Sequence, residues 1–208
     1  MQRKSTADGC GVRRMNLQQI TLEGQRVRLI PLQTEHAEEL FEQAKYPEIW
    51  TYLPLKVDRL EDMKQIVAKA LAAKERGLEY PFAVYDKELR RLVGSTRFLS
   101  INLDHKNLEI GWTWYTPAVW RTRVNTDCKY LLLNYCFEHL GLIRVQLKAD
   151  TRNERSNRAI ERIGATREGM LRKDRILHDG YVRNAYIYSI IRDEWEDVKR
   201  RLESYLSR

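Results

Sequence analysis

The sequence predicts an α+β domain built on a mixed seven-stranded sheet, with one parallel pair and helices on both faces. Three observations lead there. Residues 108–165 switch between period-two and helical patterns and read strand, loop, helix, strand, loop, helix. The return from the first of these helices is so short that its flanking strands must run parallel, joined by a right-handed crossover. Residues 80–115 hold three strands separated by tight turns, an antiparallel meander.

Taken in order, Ile20–Leu32 reads as a hairpin, with Thr21-Leu22-Glu23 and Arg26–Ile30 flanking Gly24-Gln25 and Pro31 limiting the second arm. Thr34 is placed to cap a helix over about 35–45, whose apolar side is Ala37, Leu40, Phe41 and Ala44. Tyr46–Leu55, with two prolines and three aromatic residues, is expected as a packed loop. Asp58 then caps a helix to about Arg76, ended by Gly77. Strands follow at Tyr80–Tyr85, Leu92–Ile101 and Leu108–Tyr115. Val124, Cys128, Leu131, Leu132, Tyr135, Cys136 and Leu140 recur every three or four residues, one apolar helix face from 124 to 140 closed by Gly141. Val145, Leu147 and Ala149 alternate with polar residues in the strand Ile143–Ala149, and a helix from Asn153 to Ile163 ends at Gly164. Asp179-Gly180 joins Arg167–Leu177 to Tyr181–Ile191 as a hairpin, and Glu194–Leu206 closes the chain as a helix.

The chain is 208 residues long, enough for a proper core in one domain at 17–208, and residues 1–16 are read as a disordered extension, polar and without period. No apolar run approaches the roughly 20 residues a membrane helix needs. The net charge of +8 favours acidic partners, yet acidic residues are interspersed almost throughout and no aromatic–basic RNA-binding motif occurs. No membrane and no direct nucleic-acid contact are therefore expected. Cys128 and Cys136 lie about 12 Å apart along one helix, too far to bridge. Without a secretory signal, a reducing cytoplasm is the simplest compartment. His36, His105, His139 and His178 show no metal spacing, so no metal site is expected.

The crossover leaves the N-terminus of helix 124–140 open at the carboxyl end of strand 108–115. Unpaired N–H groups and the helix dipole make that mouth an anion site, and Arg121-Thr122-Arg123 add two cations and a hydroxyl. A phosphate-bearing ligand is expected at residues 121–126, that is Arg121, Thr122, Arg123, Val124, Asn125 and Thr126. Solvated loop arginines are the competing reading.

Four features resemble one family: Leu108-Glu109-Ile110-Gly111-Trp112, the loop-to-helix start at 120–127, the run Asn153–Ile160, and Gly164-Ala165 followed by Glu168-Gly169. With the order of elements, residues 17–205 resemble the GCN5-related N-acetyltransferases (GNAT), within them the group that acetylates ribosomal-protein N-termini and small amines. The resemblance implies the GNAT acyl-CoA N-acyltransferase fold and acetyl-CoA as donor. It implies a primary amine as acceptor, either a protein N-terminus or a small molecule, and often a homodimer. The family's loop pattern, Gln/Arg-x-x-Gly-x-Gly/Ala, falls on Trp120, Arg123 and Asn125, and all three depart from it.

The resemblance makes Glu109 a candidate general base acting through water, beside the alternative of a cross-strand ion pair. Gly111 next to it hints at a bulge. Backbone N–H groups near Trp112, Trp114 and Tyr115 would hold the thioester carbonyl, while the aromatic rings themselves read as core rather than substrate wall. Asn153 falls where the family touches the pantetheine arm. Ser156 falls where the subgroup places a hydroxyl near sulfur, an acid for the leaving thiolate or simply part of a helix cap. Asn157 and Arg158 are candidates for the phosphates, with a solvated face as the other reading of Arg158. Asp174 is a second candidate base or a local ion pair. Two other classes stay open: a CoA-binding sensor or scaffold without turnover, and a ribosome-associated basic platform.

Overall fold

The computed structural model describes residues 20–207. The extension read at 1–16 lies outside the described residues, as does Cys10.

The elements are β1 Leu22–Glu23, β2 Val27–Pro31, α1 His36–Ala44, α2 Pro47–Trp50, α3 Leu60–Glu75, β3 Glu79–Asp86, β4 Arg91–Asn102, β5 Asn107–Tyr115, α4 Val124–Asn134, β6 Arg144–Asp150, α5 Glu154–Arg162, β7 Thr166–Ile176, β8 Val182–Ile191 and α6 Trp195–Leu206. The strands form one sheet in the order β1-β2-β3-β4-β5-β6-β8-β7. Every neighbouring pair is antiparallel except β5 with β6. The sheet therefore has eight strands rather than the expected seven, because the two-residue arm β1 makes its own ladder with β2.

Side chains alternate across the strands, so each face buries its own core. On one face Val27, Phe82, Phe98, Leu108, Ile110 and Val145 pack against Val124, Cys128, Leu132 and Cys136 of the α4 segment and Trp195, Val198 and Leu202 of α6. On the other, Ala83, Leu92 and Trp114 pack against Leu40, Trp50, Met63 and Val67 of α1–α3. No helix among the described residues is long and apolar enough to cross a membrane.

Several boundaries differ from the sequence reading, for local reasons. Asp58 does not cap α3; the Asp62 carboxylate reaches back instead and accepts from the N–H groups of Asp58 and Arg59. Thr34 contributes only its carbonyl, to Ala37, and α1 starts without a side-chain cap. The loop at 46–55 contains the short helix α2, started by Pro47 at its first position. Helix 124–140 is α-helical to Asn134 and then widens into one π turn, Tyr135–His139, before Gly141 turns left-handed at φ +61°.

One strut fixes the hairpin to α4. The buried Asp127 accepts from the backbone N–H groups of Arg26 at 2.7 Å and Val27 at 2.9 Å. Gly24 is required there, because a Cβ would stand 2.5 Å from that carboxylate. Asp127→Ala is expected to cost about 3 kcal/mol, since two buried N–H groups lose a charged acceptor. Thermal denaturation reads this as a drop of about 6–12 °C at this chain length. A shift below about 2 °C would show that water replaces the carboxylate without cost.

Candidate active site

The site is made by the end of the parallel ladder. β5 and β6 pair only at Asn107↔Arg144, Leu108↔Val145 and Glu109↔Gln146. Beyond Glu109, β5 bulges. Ser95 of β4 faces Trp114 while Arg97 faces Gly111, so Trp112 and Thr113 together oppose Thr96. Trp112 sits at φ +50°, a left-handed conformation costly for a bulky residue. The Arg97 and Arg175 guanidiniums hold its ring, at 5.0 and 5.3 Å from the centroid. The bulge turns β5 away from β6, which keeps its full pairing with β8 through Asp150. A cleft of about 530 Å³ opens between Ile110–Tyr115 and Leu147–Asp150.

Two helices begin at this cleft. Thr122 Oγ1 accepts from the Val124 N–H, and Arg121 holds the preceding loop at φ +61°. Arg121, Thr122 and Asn125 line the mouth of α4. At α5, Asn153 Oδ1 accepts from the Ser156 N–H, a true N-cap that leaves the Ser156 hydroxyl uncommitted to the cap. Asn153, Ser156 and Arg158 line the cleft, as do Trp114 and Tyr115. The Trp114 ring itself packs on Trp50, so its backbone is what faces the opening. Tyr115 packs its phenol against the Cys128 thiol, and burial raises the pKa of both, the thiol to about 12.

Four expected ligand residues are engaged elsewhere. Arg123 turns outward and donates to the Leu206 carbonyl at the end of α6. Val124 is fully buried in the core. Thr126 is buried and accepts from Arg162. Asn157 is buried and donates to the Asp150 carbonyl while accepting from Tyr188. α4 and α5 aim only one side of each first turn at the cleft, and these four residues fall on the other sides. Arg158 reaches the rim and pairs there with Glu154, both well exposed.

Glu109 is 5 % exposed at the last rung of the ladder. Gln146 Nε2 donates to it at 3.0 Å, and Lys148 Nζ stands 3.1 Å away. Gly111 and Lys148 line the cleft on either side of it, so the carboxylate lies one layer behind the surface. Asp174 pairs with Arg183 at 2.9 Å, across the hairpin rather than with its sequence neighbours.

Charged cleft groups that the sequence reading missed include Lys129, Arg155 and Arg162, with Lys148, Asp150 and Arg183 beside them. Arg155 stacks over the Trp120 ring at 3.5 Å, joining the loop before α4 to the first turn of α5. Burial lowers its pKa. Lys129 is 6 % exposed, and burial pushes it down to about 8. A lysine inside the apolar run Cys128–Leu133 was the signal that could have found it. Among the described residues, seven cationic side chains line the cleft against one carboxylate, Asp150, which Arg152 already neutralises. Of the seven, Arg121, Lys129, Arg155 and Arg162 have no carboxylate partner within ion-pair distance among the described residues. The cleft therefore fits a polyanionic ligand such as a CoA thioester.

Comparison with known proteins agrees. A family model described as an acetyltransferase (GNAT) domain matches residues 26–166. The N-acetyltransferase YoaA of Bacillus subtilis strain 168, itself uncharacterised, is 27% identical over an alignment of 176 residues that covers 82% of this chain and 96% of YoaA. A GCN5-related N-acetyltransferase from Brucella melitensis superposes with a TM-score of 0.84 at 26% identity, covering 91% of this chain and 86% of its own. Mycobacterium smegmatis RimJ, in complex with CoA-disulfide, superposes at 0.78, covering 89% and 94%, and at 18% identity speaks for the fold alone. The matched stretch contains the ladder end, the bulge and both helix mouths, and by that match the chain belongs to the GNAT acetyltransferase family.

Proposed function

We propose that this protein transfers the acetyl group of acetyl-CoA to a primary amine, a protein N-terminus or a small molecule, in a cytoplasmic setting and as a homodimer. The observation that carries the reading is the opening of β5 from β6 just past Glu109, with the mouths of α4 and α5 facing the same gap. The RimJ complex with CoA-disulfide supports the donor, since it has the same fold.

Acetyl-CoA, when bound, supplies an activated acyl group on a thioester. The chain's own residues do the rest. The α4 mouth and the cleft cations hold phosphates. N–H groups near Trp112–Tyr115, on the strand that lines the cleft, donate where charge collects on the carbonyl oxygen. Glu109 takes the ammonium proton through a water, because its carboxylate lies one layer behind the surface. The Ser156 hydroxyl, on the cleft lining, protonates the leaving sulfur. Ile49, Tyr52, Leu53 and Arg183 wall the other end, where the acceptor enters.

The loop residues Trp120, Arg123 and Asn125 favour a second reading, a sensor that binds CoA without turnover. Calorimetric titration with acetyl-CoA and with CoA, followed by thiol release against a panel of amines and peptide N-termini, tests both. Binding with thiol release is expected. No heat up to millimolar ligand would overturn the donor, and binding without release to any acceptor would favour the sensor.

A further inference from the structure

Lys129 is the cleft group whose surroundings do not account for its charge. Its Nζ donates to Thr113 Oγ1 at 3.1 Å, and that hydroxyl already shares a 2.7 Å hydrogen bond with Thr96 Oγ1. An ammonium carries three donors, and among the described residues this one is removed from water for a single neutral partner. Asp127, two residues back, is committed to the hairpin. Burying a charge without a counter-charge is costly, and a packed apolar side chain there would be the cheaper solution.

The position explains the expense. Lys129 follows Asn125 by four residues, so the two lie on one face of α4 a turn apart. The ammonium, the helix mouth, Arg121 and Arg162 thus face one volume. From this geometry we infer that Lys129 is an anion subsite in the cleft floor, built for the phosphate oxygens of a CoA-type donor. The ligand supplies the counter-charge that the protein withholds. The inference rests on the donor reading above.

A consequence follows for protons. Burial holds Lys129 at about 8 in the free protein, below the ordinary 10.5. An anion at Nζ raises it again, so the bound form holds more protons and affinity falls as pH rises through about 8. The groups around it do not mimic this. Cys128 on the same helix is pushed to about 12, and burial raises Tyr115 on β5 well above its ordinary value. The other groups facing it are the guanidiniums of Arg121 on the loop and Arg162 on α5 and the hydroxyls of Thr113 and Thr96.

The test is calorimetry of the full chain with acetyl-CoA, whose sulfur carries no proton, at pH 7, 8 and 9.5 in two buffers of different ionisation heat. Proton uptake near pH 8.5 is expected, with affinity falling roughly tenfold or more from pH 7 to 9.5, since one pKa unit is a factor of ten. Lys129→Met should flatten that profile, abolish the uptake and weaken binding at pH 7 roughly tenfold. Its ligand-free melting temperature should match or exceed that of the wild type, because an unpaired buried charge has been removed. Acetyl-pantetheine, which lacks phosphates, should bind without proton uptake. Equal uptake with acetyl-pantetheine would overturn the phosphate as partner. Wild-type binding with no pH dependence, or an unchanged profile in Lys129→Met, would overturn the subsite while leaving the donor in place. No acetyl-CoA binding by the wild type would overturn the donor and the subsite together.

Discussion

Glu109→Gln is expected to lower turnover by about a hundredfold to ten-thousandfold, the range a positioned general base contributes. Affinity for acetyl-CoA should stay nearly unchanged, because the cleft surface is formed by Gly111 and Lys148 and not by this carboxylate. Glutamine preserves the size of the side chain and a partner for Gln146 Nε2. It removes the basic oxygen and the charge facing Lys148. The measurement is kcat and KM against pH, with acetyl-CoA calorimetry beside it. A loss in kcat with an altered pH profile supports the base. Lys148→Met serves as the comparison, since it removes the ion pair and keeps the carboxylate. Equal losses in both variants would assign Glu109 a structural role through that pair. Unchanged kinetics in Glu109→Gln would remove it from the mechanism altogether.

Gly94→Ala is expected to be the most damaging single change in the sheet. A Cβ on Gly94 would lie 2.0 Å from the Trp114 carbonyl oxygen and 3.0 Å from the Tyr115 Cα, both backbone atoms that cannot swing aside. Gly94 faces Tyr115 on the strand that lines the cleft, so relief requires β4 and β5 to part where the bulge ends. The cost should be about 3 kcal/mol or more, a large share of the 5–15 kcal/mol that holds a typical domain together. Thermal denaturation should fall by about 10 °C, at 2–4 °C per kcal/mol for a chain of this length, and acetyl-CoA binding should weaken with it. Gly169→Ala is the control, because its Cβ would meet nothing within 4 Å. A Gly94→Ala protein as stable as that control would show that the strands can shift without loss.

Most of the fold was legible because its signals are local. Alternation in Val145, Leu147 and Ala149, helical spacing in Val124, Cys128 and Leu132, and Gly141 after the helix each act over a few residues, and each lies where its pattern places it. The parallel join was legible too, from the shortness of the return. The caps were less so. Asp58 and Asp62 are both acidic residues near the start of α3, and only backbone geometry decides which carboxylate reaches the open N–H groups. The strand count differed by one because the hairpin at 20–32 counts as two ladder strands, its two-residue arm β1 pairing with β2 on its own.

The site divides along the same line. The sequence by itself determined where α4 and α5 begin, where Glu109 sits on its strand and the cap at Asn153–Ser156, since a helix start and a strand end are set by neighbours in the chain. Only the tertiary structure decided which side of each helix turn meets the cleft. It sent Arg123 to the end of α6, kept Thr126 and Asn157 in the interior and brought Arg155 over Trp120. It also buried Lys129 beside Thr113 without a carboxylate, 16 positions away along the chain. Helical pattern fixes a residue's angle around its own axis, but what lies opposite that angle depends on elements distant in sequence, and charge pairing is settled there.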